Sequence, residues 1–189
     1  MAPSTPTLSA GVSTCDFCDQ QAEAIERGEV RVLPPVFRHY GRQGHFFGQV
    51  ATVQCLEDNA LLRATLEQAG MARVLVVAGG ASLRTALIGG RLIELALRNG
   101  WAGLVIDGCV RDVQEIQARP IGVRALAHVP MPPRKLGTGQ CQVAVRVQGV
   151  AVQPGDWLYA DADGMLVSAH PLHQPAQPLQ QAALQDDDA

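Results

Sequence analysis

The sequence predicts an α/β fold in which parallel crossover units are followed by an antiparallel meander. Two apolar runs, "RVLVVAGG" (73–80) and "WAGLVID" (101–107), flank the helical pattern "RLIELALRNG" (91–100). Strands that are apolar at every position are covered on both faces, and a strand, helix, strand succession makes a right-handed parallel crossover. The C-terminal third changes character: "CQVAVRVQGVAV", "DWLYA" and "GMLVSA" are strand patterns separated by the tight-turn sequences "QPGD" and "DADG". At 189 residues, 47% of them hydrophobic, the chain is long enough for one domain with a sizeable core.

The elements follow in order. Residues 1–13 are a Pro/Ser/Thr-rich leader, expected to be mobile, and a single domain is expected over 14–170. Thr14 can cap a helix of about 13 residues running toward Gly28, after which "RVLPPVF" passes through a rigid double proline. "HFFGQVATVQC" is a strand with Gly48 as a candidate bulge. In "EDNALLRATLEQAG", Asp58 or Asn59 can cap a helix whose apolar positions are Leu61, Leu62, Leu66 and Ala69 and whose stop is Gly70. After the strand "RVLVVAGG", the stretch "ASLRTALIGG" reads as helical, like "RLIELALRNG" behind it. "GLVID" is a buried strand ended by Asp107-Gly108, "PIGVRALAHVP" a further short strand, and "MPPRKLGTGQ" a Pro/Gly loop. From Pro171 to Ala189 the chain is polar and Gln/Pro/Ala-rich, and is expected to be loose or a peripheral helix.

Charge and cysteine content narrow the function classes. The formal charge of −3 is supplied by Asp186, Asp187 and Asp188, since 18 acidic residues less these three equal the 15 basic ones. A neutral body argues against a nucleic-acid surface. No apolar window is long enough for a membrane span, and "MAPSTPTLSAG" lacks the basic start and apolar run of a signal peptide, so a cytoplasmic location is expected. Five scattered cysteines read as reduced thiols. Cys15 and Cys18 form a C-x-x-C, but no second ligand pair at short spacing completes a zinc site, and the pair lies in a predicted helix and not after a strand.

Two glycine loops, "AGGAS" (78–82) and "IGGRL" (88–92), each stand before a helical pattern, where free amides and the helix dipole favour an anion; each is equally readable as a close-packing turn. Neither matches a nucleotide-binding pattern. "DADG" reads as a hairpin turn, the five histidines form no ligand pattern, and no G-x-S-x-G elbow is present. The strongest chemical signal is Arg111-Asp112 at a strand's carboxyl end, with Glu115 a helical turn beyond. If "RDVQEIQ" opens a helix, the i, i+3 spacing puts both carboxylates on one face, suited to Mg²⁺ or Mn²⁺, with Arg111 free to grip a substrate carboxylate. The bland alternative is a helix start whose acids counter the dipole while Arg111 pairs with one of them.

From 14 to 168 the chain resembles the family of the regulator of ribonuclease activity A and the 4-hydroxy-4-methyl-2-oxoglutarate aldolases. The resemblance rests on "TCDFCD", "EDNALL", "RVLVVAGGASLRTAL", "GLVIDGCVRD" and "GVAVQPGDWLYADADGMLV", in that order. Gly90, twenty residues, Arg111-Asp112, two residues and Glu115 match the family's G-x20-R-D-x2-E/D signature. The resemblance implies a compact β/β/α sandwich of the swivelling-domain type and a homotrimer with sites at subunit clefts. It implies Asp112 as metal ligand, Glu115 holding metal-bound water, Arg111 on the substrate, and Gly89, Gly90, Arg91 and Leu92 binding a substrate carboxylate through backbone amides. Gly90 stands where some of the aldolases carry an aspartate.

The implied reaction is metal-dependent cleavage of 4-hydroxy-4-methyl-2-oxoglutarate to pyruvate. Oxaloacetate decarboxylation is expected as a second activity, because it passes through the same pyruvate enolate. The only lysine, Lys135, falls in a Pro/Gly loop, which argues against the Schiff-base alternative. A second function implied by the resemblance is metal-independent binding and restraint of the endoribonuclease RNase E or its helicase partners, with no direct nucleic-acid contact.

Overall fold

The computed structural model describes residues 13–173. The leader before Ser13 and the tail beyond His173 lie outside the described residues. In chain order the elements are α1 (Thr14–Gln20), α2 (Ala22–Glu26), β1 (Val30–Val32), β2 (Arg38–His39), β3 (Phe46–Gln54), α3 (Ala60–Leu66), β4 (Val74–Ile88) and α4 (Gly90–Arg98). They continue with β5 (Gly103–Val110), α5 (Val113–Gln117), β6 (Gly122–His128), β7 (Gln140–Cys141), β8 (Val145–Val147), β9 (Val150–Val152), β10 (Trp157–Ala160) and β11 (Met165–Ser168).

The fold is α/β, as expected, with a 9-stranded mixed sheet in the order β1-β11-β10-β3-β4-β5-β6-β2, β7 pairing with β3 off this path. β3, β4, β5 and β6 run parallel, joined by crossovers through α3, α4 and α5. Successive side chains of a strand point to opposite faces, and here both faces are buried. On one, Leu75, Val77, Leu104 and Ile106 pack with Leu62 and Leu66 of α3, Ile93 and Ala96 of α4, and Ile116 of α5. On the other, Val74, Val76 and Val105 meet Val145, Val147 and Val152 of the β8–β9 hairpin together with Leu158 and Val167. Burial from both sides is why the strand sequences are continuously apolar, and the result is the β/β/α sandwich.

Several local expectations are corrected. The first helix breaks at Gln21, and its cap is Ser13, whose hydroxyl accepts from the Asp16 amide at 3.3 Å. Thr14 cannot serve as cap because its amide and hydroxyl both donate to Asp161, at 2.7 and 2.6 Å. Cys15 and Cys18 lie on α1 as free thiols. The charge of Asp163 pushes the Cys15 thiol upward and burial does the same for Cys18, the opposite of what a reactive redox pair requires. Gly48 is not a bulge, since β3 and β10 keep one register through it. A Cβ there would overlap the Ala72 carbonyl, so close backbone approach explains the glycine.

"ASLRTALI" is strand, not helix: β4 runs on to Ile88, pairing Ser82 with Gly108, Ala86 with Cys109 and Ile88 with Val110 across irregular register shifts. β5 correspondingly passes through Asp107-Gly108 and stays buried to Val110. "AGGAS" therefore precedes no helix, which removes the physical basis for an anion loop there. The expected meander is divided. β8 and β9 form a separate two-stranded sheet, while β10 and β11 pair with each other inside the main sheet, between β3 and β1. "DADG" is the β10–β11 turn, closed by Asp161 N donating to the Gly164 carbonyl at 3.1 Å. At the start of the polar tail, Leu172 N donates to Tyr159 Oη at 2.8 Å and His173 Nδ1 lies 2.7 Å from the same oxygen, so this stretch is docked on β10.

Candidate active site

Parallel strands present their carboxyl ends on one side of a sheet, and the turns that follow β4 and β5 meet there. After β4 come Gly89 and Gly90, which open α4; after β5 come Arg111 and Asp112, which lead into α5. Arg111 N donates to the Ile88 carbonyl at 2.8 Å, which ties the two turns together. Asp112 caps α5 in a left-handed conformation, φ 59°, ψ 45°, yet makes no side-chain bond to that helix. Its carboxylate instead crosses to the neighbouring turn, where Oδ2 accepts from Gly90 N at 3.1 Å.

The glycine pair makes this crossing possible. A Cβ on Gly89 would overlap Asp112 Oδ2, and a Cβ on Gly90 would overlap Glu115 Oε2. The two carboxylates thus lie against adjacent glycines, Asp112 from the left-handed cap before α5 and Glu115 from the first turn of α5. Arg111 Nε stands 3.5 Å from Asp112 Oδ1, a long contact between partly exposed groups. Asp112 keeps lone pairs free, and Glu115 has no hydrogen-bond or ion-pair partner among the described residues.

These residues line a cleft of about 640 Å³. Gly89, Arg91, Leu92, Arg111, Asp112 and Glu115 form one side, with Gly90 behind them as donor to Asp112. The amides of the glycine turn are not all open. Gly90 N is engaged by Asp112 and Leu92 N donates to the Gly89 carbonyl at 3.0 Å, which leaves the Gly89 and Arg91 amides without an acceptor among the described residues.

The remaining walls are not evident from sequence. Asn59, Ala60 and Arg63 enter from the start of α3, and Pro132, Pro133 and Lys135 from the loop after β6. Sequence offers Asn59 only as a possible cap; its Nδ2 donates to the Leu87 carbonyl at 3.0 Å, which fixes the amide against the end of β4. Lys135, whose Pro/Gly loop argues against lysine chemistry, nevertheless belongs to the cleft. Its side chain is exposed. The loop is held by buried Asp58, whose carboxylate accepts from Ala60 N at 2.9 Å, Leu136 N at 2.5 Å and Gly137 N at 3.3 Å. Burial opposes that charge, but the backbone amides outweigh it and hold the carboxyl below its usual range.

Can this arrangement hold a metal? Among the described residues no three His, Cys, Asp or Glu side chains gather into a cage. Mg²⁺ does not need one, since it keeps several waters and takes one or two carboxylates plus oxygens of its substrate. Asp112 as direct ligand and Glu115 through water fit that pattern, with open cleft volume in front of them for the waters. The cleft carries four cations, Arg63, Arg91, Arg111 and Lys135, against these two carboxylates, so it is built for an anionic guest.

Known proteins share this fold and much of the sequence. Residues 14–167 match the model of the RraA-like family, described as Aldolase/RraA. A protein of Albidiferax ferrireducens, provisionally named 4-hydroxy-4-methyl-2-oxoglutarate aldolase, is 51% identical over 170 residues, covering 86% of this chain and 98% of its own. Among solved structures, the RNA-processing inhibitor RraA from Thermus thermophilis superposes with a TM-score of 0.81 at 43% identity, over 88% of this chain and 98% of that one. A Geobacillus kaustophilus structure described as an S-adenosylmethionine:2-dimethylmenaquinone methyltransferase gives 0.80 at 42%, over 85% and 97%.

Proposed function

The chain belongs to the RraA-like, Aldolase/RraA family, and from that premise we propose that it is a divalent-metal-dependent aldolase. Its substrate is 4-hydroxy-4-methyl-2-oxoglutarate, cleaved to pyruvate, with oxaloacetate decarboxylation as a second activity. The observation that carries this reading is the pair of carboxylates, Asp112 and Glu115, seated on Gly89 and Gly90 beside Arg111 in an otherwise cationic cleft. Glu115 Oε2 occupies the space into which a side chain at position 90 would grow, so the acid that some aldolases carry there has a spatial substitute.

Asp112 would hold Mg²⁺ or Mn²⁺ directly and Glu115 would hold it through water. When bound, such an ion supplies Lewis-acid polarisation of the 2-oxo oxygen. The open Arg91 amide at the start of α4 receives the adjacent C1 carboxylate, with the helix dipole favouring its charge. The Arg111 guanidinium, tied to β4 through its own amide, stands beside the oxygen on which charge develops and stabilises it more in the transition state than in the ground state. In aldol cleavage a solvent water in the open cleft takes the 4-hydroxyl proton, the C4 oxygen becomes the carbonyl of a second pyruvate as the C3–C4 bond breaks, and the bonding electrons remain on C3 as the pyruvate enolate. In decarboxylation the same electrons come from the departing CO₂, and protonation at C3 gives pyruvate in both cases.

Five apolar side chains, Leu56, Met71, Leu83, Met131 and Leu136, are each more than half accessible, and in this reading the protein assembles with further copies as a homotrimer. Likeness to the Thermus inhibitor favours a second, compatible role, binding RNase E or its helicase partners through an outer surface. No helix among the described residues is long and apolar enough to cross a membrane.

The test is Asp112→Asn, which keeps size while removing a charge. Mg²⁺-dependent turnover of oxaloacetate and of 4-hydroxy-4-methyl-2-oxoglutarate should fall by at least about 10²-fold, and Mn²⁺ binding followed by electron paramagnetic resonance should be lost. Wild-type protein that turns over neither substrate with Mg²⁺, while capturing RNase E in a pull-down, would replace the enzyme reading with the regulator reading.

A further inference from the structure

Beside the cleft lies a second recess that the proposed reaction does not use. It is a groove of about 290 Å³ between α3 and α4, lined by Arg63, Arg91, Leu92, Glu94, Leu95 and Arg98. Its floor is apolar, since Leu92 and Leu95 are partly buried against the core beneath the helices. Its rim is cationic, with three guanidinium groups against the single carboxylate of Glu94. Arg91 and Arg98 stand seven positions apart on α4, on one side of the helix with roughly 10 Å of rise between them. Arg63 is paired outside the groove, its Nε 3.0 Å from Glu67 Oε1. Arg98 reaches Glu94 only at 3.4 Å between exposed groups, and Arg91 has no carboxylate or hydrogen-bond partner among the described residues. A rim of like charges repels itself and is relieved by an anionic occupant.

The chain carries a segment of matching chemistry. Asp186, Asp187 and Asp188 supply its whole net charge, and Leu184 stands two positions before them. The route to the groove begins on the face that α3 covers. Phe47, Ala51 and Val53 are separated by even steps along β3, so their side chains share the face on which Leu62 and Leu66 of α3 pack. The His173 ring lies against Phe47, with centroids 4.9 Å apart, so the described chain leaves the sheet on the helix side. From there a series of contacts leads to the end of α4. A Cβ at Gly48 would overlap the Ala72 carbonyl, Ala72 N donates to the Gly100 carbonyl at 2.8 Å, and Gly100 follows Arg98 by two positions. Thirteen positions separate His173 from Asp186. A chain of that length reaches at most roughly 45 Å, against roughly 14 Å for the whole of α4, so the distance is no obstacle.

We infer that the acidic triplet of the same chain docks in this groove, with the carboxylates of Asp186 and Asp188 on Arg91 and Arg98 and with Leu184 on the apolar floor. In an extended triplet the first and third side chains share a side roughly 7 Å apart, a separation that two long arginine side chains bridge. Arg63, Arg91 and Leu92 line both the groove and the cleft, so the docked segment stands as a wall beside the cleft and takes up part of the positive charge that the cleft offers its guest. The docking does not depend on which reaction the cleft performs.

The experiment uses the fact that Lys135 is the only lysine of the chain. Carbodiimide coupling joins an ammonium to a carboxylate in contact with it, so a lysine introduced at the groove reports its neighbours. Full-length Arg98→Lys is coupled, digested and mapped by mass spectrometry. The new amine meets Glu94, the partner of the native arginine, and a link to Glu94 shows that coupling works in this variant. The expected result is a second link, within one chain, from the new lysine to Asp186, Asp187 or Asp188. Its yield should exceed that of the corresponding link in Arg42→Lys, a control on an exposed arginine outside the groove, by about 10-fold or more. It should fall by about 3-fold or more when Arg91→Gln is added or when salt is raised to about 0.5 M. The substituted arginines are exposed, so the variants should melt with the wild type, which confirms that they are folded. Equal yields at the two positions overturn the inference, as does absence of the second link while the Glu94 link forms. A triplet that links only to Lys135, or only to another chain, also overturns it.

Discussion

Replacing Asp58 tests whether the loop wall of the cleft depends on one buried carboxylate. In Asp58→Ala, three amides lose an acceptor: Ala60, Leu136 and Gly137. The Ala60 amide opens α3, and removing a side-chain acceptor from a helix start typically costs about 1 kcal/mol. Leu136 and Gly137 are exposed, and their amides can turn to water once the carboxylate is gone, so their bonds count for less than the roughly 1.5–3 kcal/mol typical of a charge-assisted bond, about 1–2 kcal/mol together. The sum is about 2–3 kcal/mol, or about 5–10 °C in melting temperature for a chain of this size. Loosening must also reach the ligand. Asp58 does not line the cleft, yet the loop it holds carries Pro132, Pro133 and Lys135 into it, so Mg²⁺-dependent turnover of oxaloacetate should also fall, by about 3-fold or more. Hydrogen exchange gives the local readout, with protection expected to fall at Leu136 and Gly137 and to persist in β5. Wild-type melting together with unchanged exchange at those two amides would refute the reasoning.

Gly90→Ala places a methyl group where Glu115 Oε2 lies, so Glu115 must swing away; Mn²⁺ affinity measured by paramagnetic resonance should fall by about 10-fold or more with little change in melting. Asp161 gives a pH prediction: burial opposes its charge, but Thr14 and the amides of Asp163 and Gly164 outweigh this and hold the carboxyl below its usual range. A folded-state value below the unfolded one, about 3.9, means the contribution is complete above that pH and is lost as pH falls through and below it. The stability gap between wild type and Asp161→Ala in urea titrations should therefore be constant from about pH 7 to about 5 and close below about 4, and a gap unchanged down to about pH 3 would contradict it.

The parallel core is legible in the sequence because "VLVV" and "LVI" are buried on both faces and carry no polar residue to confuse strand with surface. The extension of β4 is not. In "ASLRTALI" Leu83, Ala86 and Leu87 repeat at helical spacing, and what makes it strand is its pairing with Gly108, Cys109 and Val110 on β5. Pairing is a tertiary fact that a local pattern does not contain. The site divides in the same way. Arg111, Asp112 and Glu115 announce themselves because charges after a buried strand are unusual, and Gly89-Gly90 because paired glycines interrupt a helical pattern. Lys135 joins them only through Asp58. The carboxylate that latches its loop accepts from Leu136 N at 2.5 Å across a separation of 78 positions, and no local spacing signals that contact.

Three consecutive residues show why this corner of the fold is so dense in function. Glu57 takes a left-handed conformation, φ 55°, and its carboxylate accepts from Ser82 Oγ at 2.6 Å and pairs with Arg84 at 2.5 Å, fixing the irregular middle of β4. Asp58 holds the Lys135 loop, and Asn59 enters the cleft itself. Across the cleft, Asp112 repeats the left-handed turn, a conformation that disfavours a side chain by about 1–2 kcal/mol. An Asp that caps its own helix ordinarily sits in extended backbone with its carboxylate on the first-turn amides. The left-handed turn at Asp112 forgoes that bond and directs the carboxylate to Gly90 on the neighbouring turn, with lone pairs left for a ligand. On the proposed reading the redirected carboxylate is the one that holds the metal, a role that a bond to its own helix amides would have taken from it.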